Sequence, residues 1–362
     1  MMDREQDQRP KDSPVELRQM QYFLCLAEEK NVTRAARQLN IVQPALSMQI
    51  AKLEAELGQK LFDRSVRGMT LTSAGEALVR LTAPIVRDAE YARQEMAQLG
   101  GRISGRVSVG LITSVAQSTM ARSSATVASR YPEITLSVCE GYTETLVDWV
   151  NTGQLDFALI NVPRRRTPLA AHHVMDEEMV FACRKDGPIK PPARLRFDHI
   201  ANVDLVLPSK RHGLRLILDE HAAAVGIDLR PRLELDTLPA LCDVIATTDF
   251  ATVLPTIALR QSLASGAIRA HRFNEQRIVR SIAWVHHPRR TVSVAAKAVL
   301  DVISRDLAQA AAVAKEFVEP TSGGTSSSSR KRRRTPRRKT ISYMQDFGSD
   351  KMSRPPQNET GW

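Results

Sequence analysis

The run Gln43-Pro44-Ala45-Leu46-Ser47-Met48-Gln49-Ile50-Ala51-Lys52 carries residue types suited to holding a nucleic acid rather than to making or breaking bonds. An amide such as Gln43 can face adenine with two hydrogen bonds, and Ser47 or a nearby arginine can take a phosphate or a base edge. Small Ala45 keeps the surface low, and Lys52 adds charge on the same side. Elsewhere the signs of catalysis are missing. No nucleophile elbow, phosphate-binding loop or paired-carboxylate motif occurs, and Ser114 has no evident base partner, so no enzyme is expected. His172-His173 and His286-His287 are adjacent pairs, and neighbours on a strand point apart. Without helical spacing or nearby cysteine they predict no metal site, and nothing calls for a cofactor.

Such a run needs elements to present it. Leu17, Phe23, Leu24 and Ala27 trace a first amphipathic helix. Thr33 or Asn31 can cap a short second helix in which Ala35 and Ala36 allow close packing, and Asn40-Ile41 makes a turn. A third helix starts at Val42-Gln43, with Pro44 in its first turn where a missing N–H costs nothing. Leu46, Ile50, Leu53 and Leu57 fall on one face, leaving Gln43, Ala45, Ser47, Met48 and Lys52 towards the other. Short helix, tight turn and second helix is a shape that enters a major groove. The same spacing also suits a plain helical bundle with a solvated face. The next run decides between them. Leu61 to Thr72 reads as strand, glycine turn and strand, a small wing with Arg64 and Arg67 at its tip, which a bundle does not explain.

The chain has 362 residues, 43% apolar and 25% charged, which suits a folded protein of at least two domains. Of the net charge of +11, residues 319–362 carry +6, from ten basic and four acidic side chains, so the remainder is only mildly basic. No apolar run approaches the ~18 to 20 residues of a membrane span. Four well-separated cysteines, Cys25, Cys139, Cys183 and Cys242, suggest reduced cytoplasmic thiols. Five regions follow: a polar leader (1–14), the winged helix-turn-helix (15–72), a linker helix and hinge (73–104), an α/β domain (105–318) and a disordered polybasic tail (319–362). In the linker, Ser73-x-x-Glu76 offers a capping box. Leu78, Leu81, Ile85, Ala89, Ala92, Met96 and Leu99 form a seam able to pair with a second copy, with Pro84 kinking or loosening the helix. Beyond the Gly100-Gly101 hinge, β-rich runs at 106–112, 134–138, 157–160, 179–183, 203–207, 251–254 and 278–285 alternate with helical segments. That pattern predicts parallel sheets covered on both faces.

Leu17-Arg-Gln-Met-Gln-Tyr22-Phe23, Thr33-Arg-Ala-Ala-Arg-Gln-Leu39, Gln43-Pro-Ala-Leu-Ser47, Leu53-Glu54, Leu57-Gly58, Leu61-Phe62-Asp63-Arg64 and Leu71-Thr72-Ser-Ala-Gly75 together resemble the N-terminal domain of LysR-type transcriptional regulators. Tyr131-Pro-Glu133-Ile and Gly153-Gln-Leu-Asp156-Phe-Ala-Leu extend the resemblance to the family's two-lobed, periplasmic-binding-protein-like α/β effector domain. Leu207 to Arg215 looks most like its nitrogen-assimilation branch, some members of which need no effector. The resemblance implies double-stranded promoter DNA as partner, bound by a homodimer or homotetramer. RNA polymerase would sense the change, in the bacterial cytoplasm. It puts Gln43, Pro44, Ala45 and Ser47 on DNA, flanked by Thr33, Arg34, Met48 and Lys52, with Arg64 on a phosphate. Met48 departs from the family's usual arginine or polar residue, which implies altered half-site reading. A small anionic effector would sit between the lobes, on Thr113 and Ser114 after the first strand and on Ser209 after the fifth. In place of the family's glycine-rich turn stands Thr248-Asp249-Phe250, where Asp249 would repel an anion or Phe250 fill the cleft. The alternatives are an effector-independent regulator or a nucleoid-type protein binding through charge.

Overall fold

The structure, a computed structural model, describes residues 15–65, 68–98, 102–162, 167–274 and 277–319. The leader, nearly all of the polybasic tail, Leu99 and Arg67 lie outside them. Three hydrophobic clusters organise the rest.

The first belongs to the N-terminal domain: α1 (Leu17–Glu29), α2 (Val32–Gln38), α3 (Gln43–Leu57), β1 (Phe62–Ser65), β2 (Gly68–Leu71) and the start of α4 (Ser73–Gln98). Phe23, Leu26, Leu46 and Leu53 are buried at its centre, with Phe23 and Phe62 in ring contact at 5.4 Å. Asn31 is the residue that caps α2, its side chain accepting from Arg34 N at 3.0 Å. Leu57 does not join the buried face of α3; it is 36% exposed beside the left-handed Gly58 that ends the helix. The expected Ser73–Glu76 box is likewise displaced by one residue. Thr72 Oγ1 accepts from Gly75 N at 3.0 Å, and the Thr72 carbonyl accepts from Glu76 N at 2.9 Å. The α4 helix continues through Pro84.

Next come β3 (Gly105–Leu111), α5 (Thr113–Arg130), β4 (Ile134–Glu140), α6 (Thr143–Asn151), β5 (Phe157–Asn161) and the long β6 (Ala170–Arg184). They are followed by β7 (Val206–Leu207), α7 (Gly213–Ala224), β8 (Leu233–Glu234), α8 (Leu238–Thr247), β9 (Ala251–Pro255), α9 (Thr256–Ala264), β10 (Ile268–His271), β11 (Ile278–His286), α10 (Val294–Glu316) and β12 (Val318–Glu319). The main sheet runs β12-β10-β6-β11-β5-β3-β4, with β9 also on β6. Pairing is parallel for β3 with β4 and β5, as the apolar strands predict. It is antiparallel for β6 with β9, β10 and β11, and for β11 with β5, so the sheet is mixed rather than all parallel.

Two strands, β6 and β11, cross from one cluster to the other. Val174 and Met175 pack on the cluster of β3, β5 and α10, whereas Met179 to Cys183 belong to that of α7, α8 and β9. Ile282 and Ile278 divide in the same way. The domain therefore has two lobes, each with its own core, joined by an antiparallel pair of crossover strands.

Candidate functional site

The helix-turn-helix is fixed from behind and free in front. In α3, Leu46, Ile50 and Leu53 are buried, while Gln43, Pro44, Met48 and Lys52 are exposed and Ala45 and Ser47 are partly so. Val42, the N-cap, supplies no side-chain bond, and it and Met48 are 69% and 63% exposed. The N-terminal end of α3 thus offers an amide, a hydroxyl, two apolar side chains and a helix start on one surface. Apolar groups there suit a thymine methyl as well as the amide suits adenine. Thr33 Oγ1 donates to Gln43 Oε1 at 3.2 Å, joining the start of α2 to that of α3. Arg34 is turned towards α1, where it pairs with Glu29 Oε2 at 2.9 Å and bonds the Glu29 carbonyl. Lys52 stands 3.6 Å from Glu56 one turn on. Both cations are exposed, and each pair is weak enough for a phosphate to compete.

The wing is built on the same helix. Glu54 Oε1 accepts from Leu61 N (2.9 Å) and Phe62 N (3.3 Å), and its Oε2 pairs with Lys60 at 2.7 Å. On the other side Met69 N donates to the carbonyl of Lys30, the left-handed residue closing α1. Gly68 fits there because any Cβ would meet that oxygen at 2.7 Å. Arg64 lies in β1 opposite Met69. Desolvation raises the Glu54 carboxyl, but Lys60 and the two backbone donors outweigh it and hold the group below its ordinary value of 4.5. Glu54→Ala should cost about 1–3 kcal/mol by stranding those donors. A group with a depressed folded pKa stabilises above its unfolded value and loses that contribution as pH falls. The gap between wild type and variant in thermal melts should therefore persist at neutral pH and narrow as pH falls below the ordinary value of 4.5.

The second site lies where the lobes meet. Thr113 and Ser114 are the first residues of α5, not of a loop. Thr113 Oγ1 donates to Glu140 Oε1 at 2.7 Å, and buried Ser114 accepts from Arg280 Nη1 at 2.8 Å. Arg280, 1% exposed in β11, is opposite Glu177 of β6 in the crossover register. Its Nε and Nη2 reach Glu177 Oε2 at 3.0 and 2.6 Å, and Nη1 also lies 3.5 Å from Asn161 Oδ1. Glu177 Oε1 in turn accepts from Thr256 Oγ1 (2.9 Å) and Ile257 N (2.7 Å), closing the start of α9. One buried ion pair thus ties the hinge to the N-termini of α5 and α9.

Ser209 also lies at this junction, with its backbone N–H and its hydroxyl both donating to Asp236, at 2.7 and 2.9 Å. His212 caps α7 by accepting from Leu214 N at 3.2 Å, and burial pushes it down to about 4, so it is neutral at physiological pH. Of the five residues expected to touch an effector, Thr113, Ser114 and Ser209 are therefore at facing lobe edges, each with an internal partner. Asp249 and Phe250 are not. Asp249 pairs with Arg184 at 2.6 Å and Phe250 packs on its own lobe's core. They come just before β9, while Thr256, which meets the hinge, follows its end. Glu177, Arg280, Asn161, Tyr142, His212 and Asp236 complete the junction without having been expected. The histidine pairs split as strand geometry requires: His173 meets Asp176 at 2.9 Å, and His172 meets His286 at 3.2 Å over Trp284.

A winged helix-turn-helix joined by a long helix to a two-lobed α/β domain defines a one-chain regulator of DNA. Residues 17–76 match the bacterial regulatory helix-turn-helix model of the LysR family, and residues 100–308 match the LysR substrate-binding domain. The chain belongs to the LysR family of transcriptional regulators. It is 31% identical over 248 residues to the nitrogen assimilation regulatory protein of Escherichia coli (strain K12), covering 68% of this chain and 80% of that one. It is 26% identical over 274 residues to a hydrogen peroxide-inducible genes activator of Dickeya chrysanthemi, covering 76% and 90% respectively. In fold it is similar to full-length OxyR of Pseudomonas aeruginosa, with a TM-score of 0.67 at 24% identity over 81% of this chain and 95% of that one. Among the described residues no helix is long and apolar enough to cross a membrane.

Proposed function

We propose that this regulator reads inverted repeats in promoter DNA as a homodimer, or as a homotetramer of two dimers, in the bacterial cytoplasm. Each copy lays the leading edge of α3 in a major groove, with Gln43, Ala45 and Ser47 towards base edges and Thr33, Pro44 and Lys52 towards the backbone. Met48 would give thymine an apolar neighbour where a polar residue would have held a phosphate or base. The arrangement of α3 carries this reading: its apolar face is buried and its N-terminal edge is open. A change in the two-lobed domain would alter the angle between wings, and so the DNA bend that RNA polymerase senses.

The test is binding to cognate and scrambled duplexes across a salt series. Gln43→Ala and Ser47→Ala should each lower the cognate-to-scrambled ratio by roughly 5- to 150-fold, the worth of about 1–3 kcal/mol of base discrimination. Equal affinities for both duplexes at physiological salt would favour a nucleoid-type protein.

For the two-lobed domain, the internal bonds of Ser114 and Ser209 favour an effector-independent regulator over one waiting for a free small anion. Peroxide is also a poor signal for this chain. Burial raises the thiols of Cys25 and Cys139 and pushes Cys242 up to about 11, and Cys183 is 1% exposed. A reactive cysteine needs the opposite, a lowered pKa and access.

A further inference from the structure

We infer that the junction between the lobes is a carboxylate-binding site whose occupant is the chain's own Asp236. Asp236 lies between β8 and α8 in the second lobe. Its Oδ1 accepts from Ser209 N at 2.7 Å, and its Oδ2 accepts from Ser209 Oγ at 2.9 Å and from Tyr142 OH at 2.9 Å. Tyr142 is the N-cap of α6 in the first lobe. One carboxylate thus takes a backbone N–H and two hydroxyls, and through them joins the lobes. That donor set is what a free small carboxylate would seek.

Two further contacts hold the same closure. The Tyr142 ring meets His212 of the other lobe edge-on, with centroids 5.7 Å apart. Gly213, at the start of α7, approaches Asn161 so closely that a Cβ would lie 2.8 Å from its Nδ2. Behind them Arg280 is already satisfied by Glu177 and His212 is neutral, so neither of these two groups draws in a second anion. Desolvation works against the Asp236 charge, but the Ser209 and Tyr142 donors outweigh it and hold the group below the ordinary carboxylate range. A free anion would have to displace a tethered, ionised competitor, which acts at high effective concentration. Asp236 is in this sense the specificity-determining residue of the junction: it keeps small anions out and supplies from within the ligand that closes the lobes.

This rests on the effector-independent half of the function proposed above and not on the DNA reading. Asp236→Ala removes the carboxylate and leaves its three donors facing a gap the size of formate or acetate. In the full-length chain, the variant should melt below the wild type. It should then gain a saturable rise of about 2–4 °C with sodium formate or acetate, measured against sodium chloride of equal ionic strength. The wild type should show no rise beyond the chloride control. Asp236→Asn, whose amide still fills the place, should be destabilised without becoming acetate-sensitive. A folded Asp236→Ala that gains nothing from either anion overturns the assignment, as does a wild type that responds as strongly as the variant. If Asp236→Ala does not fold, hydrogen exchange at the Ser209 amide of the wild type decides. Slowed exchange in the ligand-free protein supports the bond to Asp236, and exchange at the rate of an open amide overturns it. A wild type stabilised by some other small molecule would instead defeat effector independence, while rescue of the alanine variant would still stand.

Discussion

Replacing Arg280 with alanine should cost the two-lobed domain about 3–5 kcal/mol, the loss expected when one partner of a buried ion pair is removed. The side chains of Arg280 and Glu177 are both fully buried and meet at 2.6 Å. Without the guanidinium, one Glu177 oxygen keeps Thr256 and Ile257 while the other is left charged and unpartnered in the hinge. Ser114 loses its donor at the start of α5 as well. The damage should be confined to the domain in which the pair lies. Denaturant unfolding followed by Trp149 and Trp284 fluorescence should therefore show the lobes melting early, while the helical signal of the N-terminal domain keeps its own midpoint. Arg280→Met with Glu177→Gln should be much less damaged than Arg280→Ala, because what destabilises is the stranded charge rather than the missing pair. A double-mutant cycle measures this directly. Losses in the cycle that simply add would show that the pair does not act as a unit.

The same residue illustrates what could be read in the sequence. Ile278, Arg280 and Ile282 alternate along one strand, and all three side chains are buried. A charge in register with core isoleucines was visible as a pattern. Its partner was not, because Glu177 sits in a stretch, His172 to Glu178, too polar to suggest a strand. That stretch is strand nonetheless: β6 leaves His172, His173 and Asp176 exposed and turns Glu177 inward opposite Arg280. The apolar end, Met179 to Cys183, was legible because it is buried almost without a break.

The helix-turn-helix was legible almost residue by residue, since its signals are local: a cap at Asn31, a turn at Asn40, a proline in the first turn of α3 and an apolar face at helical spacing. Where local pattern misled, a neighbour decided. Leu57 continues the spacing of Leu46, Ile50 and Leu53 but reaches the end of its helix, where it is left 36% exposed. Strand–helix alternation pointed to the loops after Ile112 and Leu207, and the family resemblance put Thr113 and Ser209 at the cleft between lobes. That Asp236 had already claimed Ser209, from 27 residues further along, is a tertiary fact with no periodic signature.

The linker helix yields the other large effect. On α4, Arg87 faces its own first lobe, pairing with Asp156 at 3.3 Å and bonding the Gln154 carbonyl. By helical geometry Leu81, Ile85, Ala92 and Met96 fall on the opposite side. Leu81, Ile85 and Met96 are 67%, 48% and 66% exposed, whereas Leu78, which continues their spacing towards the N-terminus, packs on the N-terminal core. The seam that a second copy can cover therefore starts at Leu81 and runs away from the winged domain, with Ala89 and Ala92 low enough to let another helix approach. Leu81→Glu with Met96→Glu places like charges along that seam. Both residues favour helix and neither substitution touches a core, so circular dichroism and the melt of the N-terminal domain should be unchanged. On the dimer proposed above, the variant should sediment as a monomer at concentrations where the wild type still pairs. A monomer offers one recognition helix where the dimer offers two on a common frame, so affinity for an inverted repeat should fall by roughly 100- to 10,000-fold. Affinity for a single half-site should change little. That contrast separates a broken dimer from a damaged reading head, because loss at both duplexes would point to the winged domain. A double variant that still sediments as a dimer would place the contact between copies elsewhere than on α4.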